Sequence, residues 1–567
     1  MFLLKIERMK VVKKNKKMIV IGVLLVAITL LGVGTVAYFR RTVTGSLKGP
    51  TGNLTLVVNN ADSILNETFS VTLQRSEEEP YIYPDDKGTF NIDVDVTGST
   101  GDVLVTFVVE RINLPDNLKF YLDENHTEEL YNHGIVVKRS DSMTMTLPVY
   151  WFWDGSINDY NDSQFINQII SANIKVSAAI AKPLNSYLLS QPYTLDTDVD
   201  FNLDASETNS EGLMMRKGTE NDEYPIVYYR GKVANNNVIY NDMCWLIVRT
   251  TETGGVKLIY NGEVNNFGGC NNYSGVGDED SIFVPVENTS SNWNGNYIDT
   301  YIYGSEFVYN SLSTSPVYVG YMYNDLNTYY DSSTNVLNGS SYLSHLEDNT
   351  IDSTTGRHIQ NLKDSNAKII VDGWYEDNFL RKNEESLLED TVWCNDRSVI
   401  SETYSIENMA NGTNNYFNFA VYTRLYENYP TVEPSLTCNR NMDKFTVDSG
   451  NGNGDLTYPV GMLTADEVKL SGRNTKNYYL SLPSGCFWTI SPTQFNVDIY
   501  SNFTIIEARM YTSSYNRESA SKGDFGIRPA ISLNSDAYIV VGAGDGSFER
   551  PHLINLTEYI EEEAGEQ

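Results

Sequence analysis

The chain has 567 residues, enough for more than one domain, and its 41% hydrophobic and 12% aromatic content can build real cores, which argues against global disorder. Its net charge of −33 is unevenly spread: residues 1–41 hold nine of the 41 Lys/Arg and one of the 74 Asp/Glu, so the remainder carries 32 basic and 73 acidic residues. So acidic an exterior repels phosphate backbones, which argues against nucleic acid as a partner, and it leaves carboxylates available to Ca²⁺.

Residues 1–17 are a basic segment, with Lys10, Lys13, Lys14, Lys16 and Lys17 directly before 18–39, a run of 22 uncharged residues. At ~1.5 Å per residue a helix of that length crosses the ~30 Å hydrocarbon core of a bilayer. The lysines keep 1–17 in the cytoplasm and send Arg40 onward outside. The same stretch also reads as a cleaved signal peptide: a basic n-region, a long apolar region, and Thr35 and Ala37 as a −3/−1 pair, with cleavage between Ala37 and Tyr38. Membrane anchor and cleaved signal both stand as readings, giving a membrane-held extracellular region or a secreted one.

Over 50–205 the sequence alternates with period two. Phe90, Ile92, Val94 and Val96 interleave with Asn91, Asp93 and Asp95; Leu54, Leu56 and Val58, then Met143, Met145 and Leu147, then Ile174, Val176, Ala178 and Ile180 do the same. The continuous β-branched and aromatic run 103–109 suits a central strand. Turns are expected at 84–88 and 97–101, and a helical stretch at 162–172. Short strands with regular turns predict an antiparallel β-sandwich of jelly-roll type. Residues 32–39 (GVGTVAYF), the T-G-N strand at 51–56 and the segment 81–90 (YIYPDDKGTF) resemble the camelysin/TasA surface and biofilm-matrix family, whose signals are cut by a dedicated signal peptidase. Arg40-Arg41 stands where those relatives carry Ser/Asn-Asp. The resemblance implies a jelly-roll module of surface type.

A polar linker is expected at 203–223, followed by a second domain over 206–557 and an acidic tail at 558–567. Strands are expected at 226–229, 238–240, 244–248 and 256–260, the last two joined by a turn at Thr253-Gly254-Gly255. Two helices are expected. One carries Ala367, Ile370, Val371, Trp374 and Asn378 on one face; the other opens on a capping box from Thr464 to Glu467, with Leu463 and Val468 as a hydrophobic staple. The acidic loop 448–455 lacks the spacing and final Glu of an EF-hand, so a polar loop is preferred over a Ca²⁺ site.

The segments 372–378 (DGWYEDN), 393–398 (WCNDRS), 456–467 (LTYPVGMLTADE) and 487–492 (FWTISP), with the closing GIRPAI at 526–531, are similar to an uncharacterised module of Firmicutes surface proteins, in the same order. The closing strand also resembles that of C-type-lectin-like and formylglycine-generating-enzyme-like folds. That second resemblance implies an α+β ligand-display module, while the paired reactive cysteines of the oxidase relatives have no counterpart. The fold class is therefore expected to be mainly β with some α: an N-terminal membrane helix, a jelly-roll-like β-sandwich, then an α+β C-type-lectin-like domain.

All five cysteines, Cys244, Cys270, Cys394, Cys438 and Cys486, fall in the second domain, and an exported chain forms at most two internal bridges from them. Sequence does not fix connectivity; pairing within each half of the domain gives Cys244–Cys270 and Cys394–Cys438 and leaves Cys486 as a buried thiol. No HExxH, CxxC, P-loop or GxSxG pattern is present, so no catalytic residue, cofactor or metal ligand is assigned. Phe487 and Trp488, and the run Trp151-Phe152-Trp153, are aromatics that either stack on a sugar or fill a core. The function expected is non-enzymatic: a cell-surface or matrix protein presenting a module for a glycan or protein ligand. A secreted carbohydrate-active or protein-modifying enzyme and a self-associating, fibre-forming subunit are the alternatives.

Overall fold

The computed structural model describes residues 54–554 except 55, 59–65, 76–78, 128, 131–132, 157–161, 204, 207–209, 217–223, 272–282, 285–308, 310–318, 325–329, 332–335, 338–348, 383–384, 401–415, 426–432, 473–478, 481–485, 497–499, 510–511 and 520–525. The apolar run 18–39, with Ala37 and Tyr38, and the acidic tail lie outside the described residues. Among the described residues no helix is long and apolar enough to cross a membrane. Strands dominate, with few helices, and the chain divides into two compact units: residues 1–182 with 540–543 and 555–567, and residues 183–539 with 544–554.

The first unit contains β1 (Val57–Val58), β2 (Asn66–Leu73), β3 (Lys87–Asp95), β4 (Asp102–Glu110), β5 (Leu118–Tyr121), β6 (His133–Val137), β7 (Thr144–Trp153) and β8 (Ile170–Pro183). Odd strands form one antiparallel sheet, ordered β1-β3-β7-β5, and even strands the other, β2-β8-β4-β6. The period-two alternation sets which side is buried: Ile92 and Val94 of β3 and Val149 and Trp151 of β7 meet Val105 and Phe107 of β4 and Ile174 and Val176 of β8 in one core. Each such side chain contributes roughly 1.5–3 kcal/mol on burial. Gly88 lies opposite Trp151, and a Cβ there would stand 2.6 Å from the indole, so only glycine lets that ring lie across β3. Beside it the Trp153 indole N–H donates to Asn117 Oδ1 (3.0 Å).

The helix expected at 162–172 is confined to Asp162–Phe165. From Ile170 the alternation of Ala172, Ile174, Val176 and Ala178, all at most 2% exposed, makes β8 instead. Residues 183–205, placed from sequence with the first domain, belong to the second unit. Nor is 203–223 linker throughout: β10 (Gly212–Arg216) pairs along its length with β11 (Ile226–Arg230) and buries Met214. Its polar flanks conceal a five-residue strand.

The second unit is built on a sheet that runs Val460–Gly461, Ala530–Leu533, β14 (Val256–Glu263), β13 (Met243–Thr250), β11, β10 and β9 (Thr194–Leu195). The strand β12 (Asn237–Tyr240) pairs with β13 and with His552–Leu553. A second sheet joins Tyr416–Asn418, Cys486–Asn496, Tyr500–Arg509 and Thr512–Ser519. Helix Asn366–Asn378 is capped by the Ser365 side chain, which accepts from Lys368 N, and it puts Ala367, Val371, Trp374 and Tyr375 into the core. Disulfides join Cys244 to Cys270 and Cys394 to Cys438.

Candidate functional site

The sequence segments singled out in the second unit converge on buried charge. Every residue of β13 is buried, as is every residue of β14 except Glu263, yet these strands hold Arg249 and Lys257 directly opposite each other. Two buried cations in that position repel unless a counter-charge is supplied. Helix Ala465–Leu470 supplies it. Thr464 caps the helix, its side chain accepting from Glu467 N while Glu467 Oε2 accepts from Thr464 N at 2.9 Å. Leu463 and Val468 close the staple at 1% exposure each. The cap fixes Glu467 so that its Oε1 accepts from Arg249 Nε at 2.8 Å and Lys257 Nζ at 2.9 Å.

Lys257 Nζ also sits 4.1 Å from the centre of the Trp393 ring. Gly461 admits that ring, since a Cβ there would lie 2.5 Å from it. Burial alone would neutralise Glu467, but Lys257 and Arg249 outweigh it and hold the carboxyl at about 2. Burial lowers Lys257, against the pull of Glu467, while Glu252 and Glu467 raise Arg249 in spite of its burial.

Two further networks adjoin in sequence. Arg397 pairs with Asp443 (2.6 Å) and donates through Nη2 to Asn361 Oδ1 (2.9 Å). Asn361 Nδ2 in turn donates to Asp455 Oδ2 (2.6 Å), and that carboxylate holds His358 Nδ1 at 3.0 Å. Arg424 bridges Asp466 (2.7 Å) and Asp396 (2.8 Å). These links tie the 358–361 turn, the 393–398 segment and the 442–467 stretch together far more specifically than apolar contact would.

At the helix Asn366–Asn378, fully buried Lys368 bonds Asp372 and stands 3.6 Å from Asp364. Burial raises Asp372 to about 6, with Lys368 opposing. Tyr375 and Tyr458 stack at 4.9 Å and donate to Glu385 and Glu376 respectively, each at 2.8 Å.

The residues expected to act as a site are distributed otherwise. Phe487 and Trp488 do not stand ready for a ligand: both are 1% exposed, Phe487 beneath the Arg528 guanidinium (5.2 Å) and Trp488 edge-on to Tyr309 (5.3 Å). As successive residues of one strand they point to opposite faces, and both faces are covered there, so core packing takes them. Cys486 pairs with Glu507 through the strand backbone, and its side chain lies outside the described residues. In the 448–455 loop, Asp448 accepts from Gly450 N while Asp455 faces His358 and Asn361, so its two end carboxylates serve different partners. Among the described residues no group of three His, Cys, Asp or Glu is placed to hold a metal ion.

Arg249, Lys257 and His358 carry no role in the sequence reading, and Arg397 enters it only as part of the 393–398 segment. The signal for the first two was present: a lone cation inside the apolar runs CWLIVRT and VKLIY. No family model, curated protein or solved structure matches this chain.

Proposed function

We propose that the chain is an exported cell-surface or matrix protein, non-enzymatic, whose second unit presents a binding module for a glycan or protein ligand. The observation that carries the reading is the pair of disulfides in the second unit, Cys244–Cys270 and Cys394–Cys438, because such bridges form and persist in oxidising surroundings outside the cytoplasm. The basic-flanked apolar run 18–39 supplies the route, as an anchor or a cleaved signal. The first unit is read as jelly-roll-like on its two antiparallel sheets around one core. The second is read as C-type-lectin-like on its closing strand Ala530–Leu533, which sits between β14 and Val460–Gly461. Arg528, just before that strand, donates to Tyr260 O at 2.9 Å. Carboxylates tied down by buried cations suit a stiff scaffold for presentation.

Protease treatment of intact cells tests the reading: residues 42–567 are cleaved from outside, and protection of the whole region by the membrane would sink it. Thiol titration of the exported protein under denaturing conditions gives about one free thiol per chain, that of Cys486, by the arithmetic of two bridges from five cysteines.

A fibre-forming subunit is the second reading, favoured by β2. This eight-residue strand pairs with β8 alone among the described strands, and outward Thr68, Ser70 and Thr72 are uncharged. Filaments of the purified protein in negative-stain micrographs support it; a strictly monomeric sedimentation profile rejects it.

A further inference from the structure

The two sheets of the first unit have very different outer faces. On the even sheet, β2 and β8 turn small polar groups outward: Ser70 bonds Asn173 (2.6 Å) and Thr72 meets Ser171 (3.3 Å). On the odd sheet the strand TMTLPVYWFW buries Leu147, Val149, Trp151 and Trp153 and therefore turns Tyr150 and Phe152 outward. Register sets Tyr121 of β5 beside Tyr150, and both Lys87 of β3 and Lys119 of β5 beside Phe152. The loop after β5 adds His126, held in the left-handed region (φ 60°), whose ring stacks on Phe152 at 5.3 Å and meets Tyr121 edge-on at 5.0 Å. Tyr121, His126, Tyr150 and Phe152 are all half-buried, and none belongs to the core, which the opposite side chains of the same strands already fill. Aromatic rings on the solvent side of a sheet whose interior is complete ask for a partner.

We propose that this face, Tyr121, His126, Tyr150 and Phe152 with Lys87 and Lys119 at its border, is a binding site for a neutral glycan chain. Pyranose rings present flat C–H faces to the aromatic rings, and their hydroxyls find donors and acceptors at the border. Charges of both signs border the rings: Lys119 is matched by Glu129 at 2.7 Å, Lys87 stands exposed beside Phe152, and Asp123 folds back on its own loop. Lys87 is a single cation on a chain whose overall charge repels polyanions, so an uncharged chain that uses it as a hydrogen-bond donor fits the face best. A stable protein partner buries about 800 Å² per side around a dry centre. A single strip of half-buried rings set among polar groups is better matched to a narrow polyol chain. The proposal rests on the surface-protein reading and moves the glycan contact to the first unit.

The test is calorimetric titration of the full exported chain with chitohexaose, cellohexaose, maltohexaose and mannohexaose. At least one binds, and Phe152→Ala weakens it by about tenfold or more, the loss of one stacking ring. Lys87→Ala, at an exposed position where the fold is untouched, weakens it by roughly two- to fivefold through a lost border hydrogen bond. Binding that survives both substitutions places the glycan elsewhere; it overturns this site and leaves the surface-binding reading intact. Failure of all four sugars at millimolar concentration overturns the site too, and the protease experiment on intact cells then decides the export reading separately. A concentration-dependent dimer that disappears in Phe152→Ala assigns the face to a second copy and likewise overturns the proposal.

Discussion

The two units reach a defined structure by different means. The first has no cysteine, an apolar core, and among its described residues no ion pair in which both partners are buried. The second adds two disulfides and sinks Arg249, Lys257, Lys368 and Arg397 below 5% exposure, each against a carboxylate. The difference teaches where specificity resides. In the first unit a shift in the register of β3 or β7 would expose the hydrophobic set, so alternation selects their pairing. In the second, β11 and β13 are buried on both faces and alternation carries no such information. Charge pairs and crosslinks select the arrangement there, and they make it sensitive to redox state and pH.

Reduction should separate the units most widely. Closing loops of 26 and 44 residues stabilises by about 3.5 and 4 kcal/mol in the chain-entropy model. Calorimetry in reducing buffer should therefore show one transition falling by many degrees and the other, from the cysteine-free unit, staying in place. If both fall together, the contrast is wrong. Next in size is Glu467→Gln, which leaves Arg249 and Lys257 buried without their shared counter-ion. It should destabilise the second unit by about 3–5 kcal/mol, read by denaturant melts.

Acid titration sharpens the same point. Burial lowers His552 to about 4, with Asp545 opposing, so its contribution is present above 6.5 and fades as pH falls through 4. Asp372, raised to about 6, works in the opposite sense: it stabilises the fold as pH falls from 6 through its ordinary 3.8. Each amounts to about 3 kcal/mol, so the two nearly cancel between pH 6.5 and 4. Glu467, depressed to about 2, loses its contribution as pH falls from 4.5 through 2. The second unit's stability should thus stay level to about pH 4.5 and drop steeply below it; a steady decline from pH 6.5 would show that Asp372 does not offset His552. In the first unit, Gly88→Ala should cost about 1–3 kcal/mol by overpacking against Trp151, without touching the second transition. Smallest is Thr464→Ala, about 1 kcal/mol from the lost cap, seen as a modest fall in the second transition.

Legibility in the sequence followed the range of the interaction. The strand at 90–96 could be read from its period, that at 256–260 from an apolar run behind a Gly-rich turn, and the capping box at Thr464 from four adjacent residues, because each is decided locally. The helix expected through 172 failed because residues 166–172 are apolar often enough to fit either period, and the tertiary pairing of β8 with β2 and β4 decides between them. Residues 212–216 were hidden by polar neighbours on both sides. Nothing near His358 points to Asp455, 97 residues away, and nothing in Trp151-Phe152-Trp153 tells which ring faces out until the register of β7 is known. Phe487 and Trp488 look as available as Phe152 in the sequence; the sheet they sit on is covered.

The strict alternation of strands between the two sheets of the first unit has a kinetic consequence. No two strands consecutive in the chain pair with each other, so the described ladders contain no local hairpin to nucleate from. The even sheet depends on β8, the last strand to emerge, which is the partner of both β2 and β4. A chain made from its N-terminus can thus complete the odd sheet once residue 153 is available, but neither the even sheet nor the core between the two is complete until β8 follows. The fold of this unit is thus completed late, by its last strand.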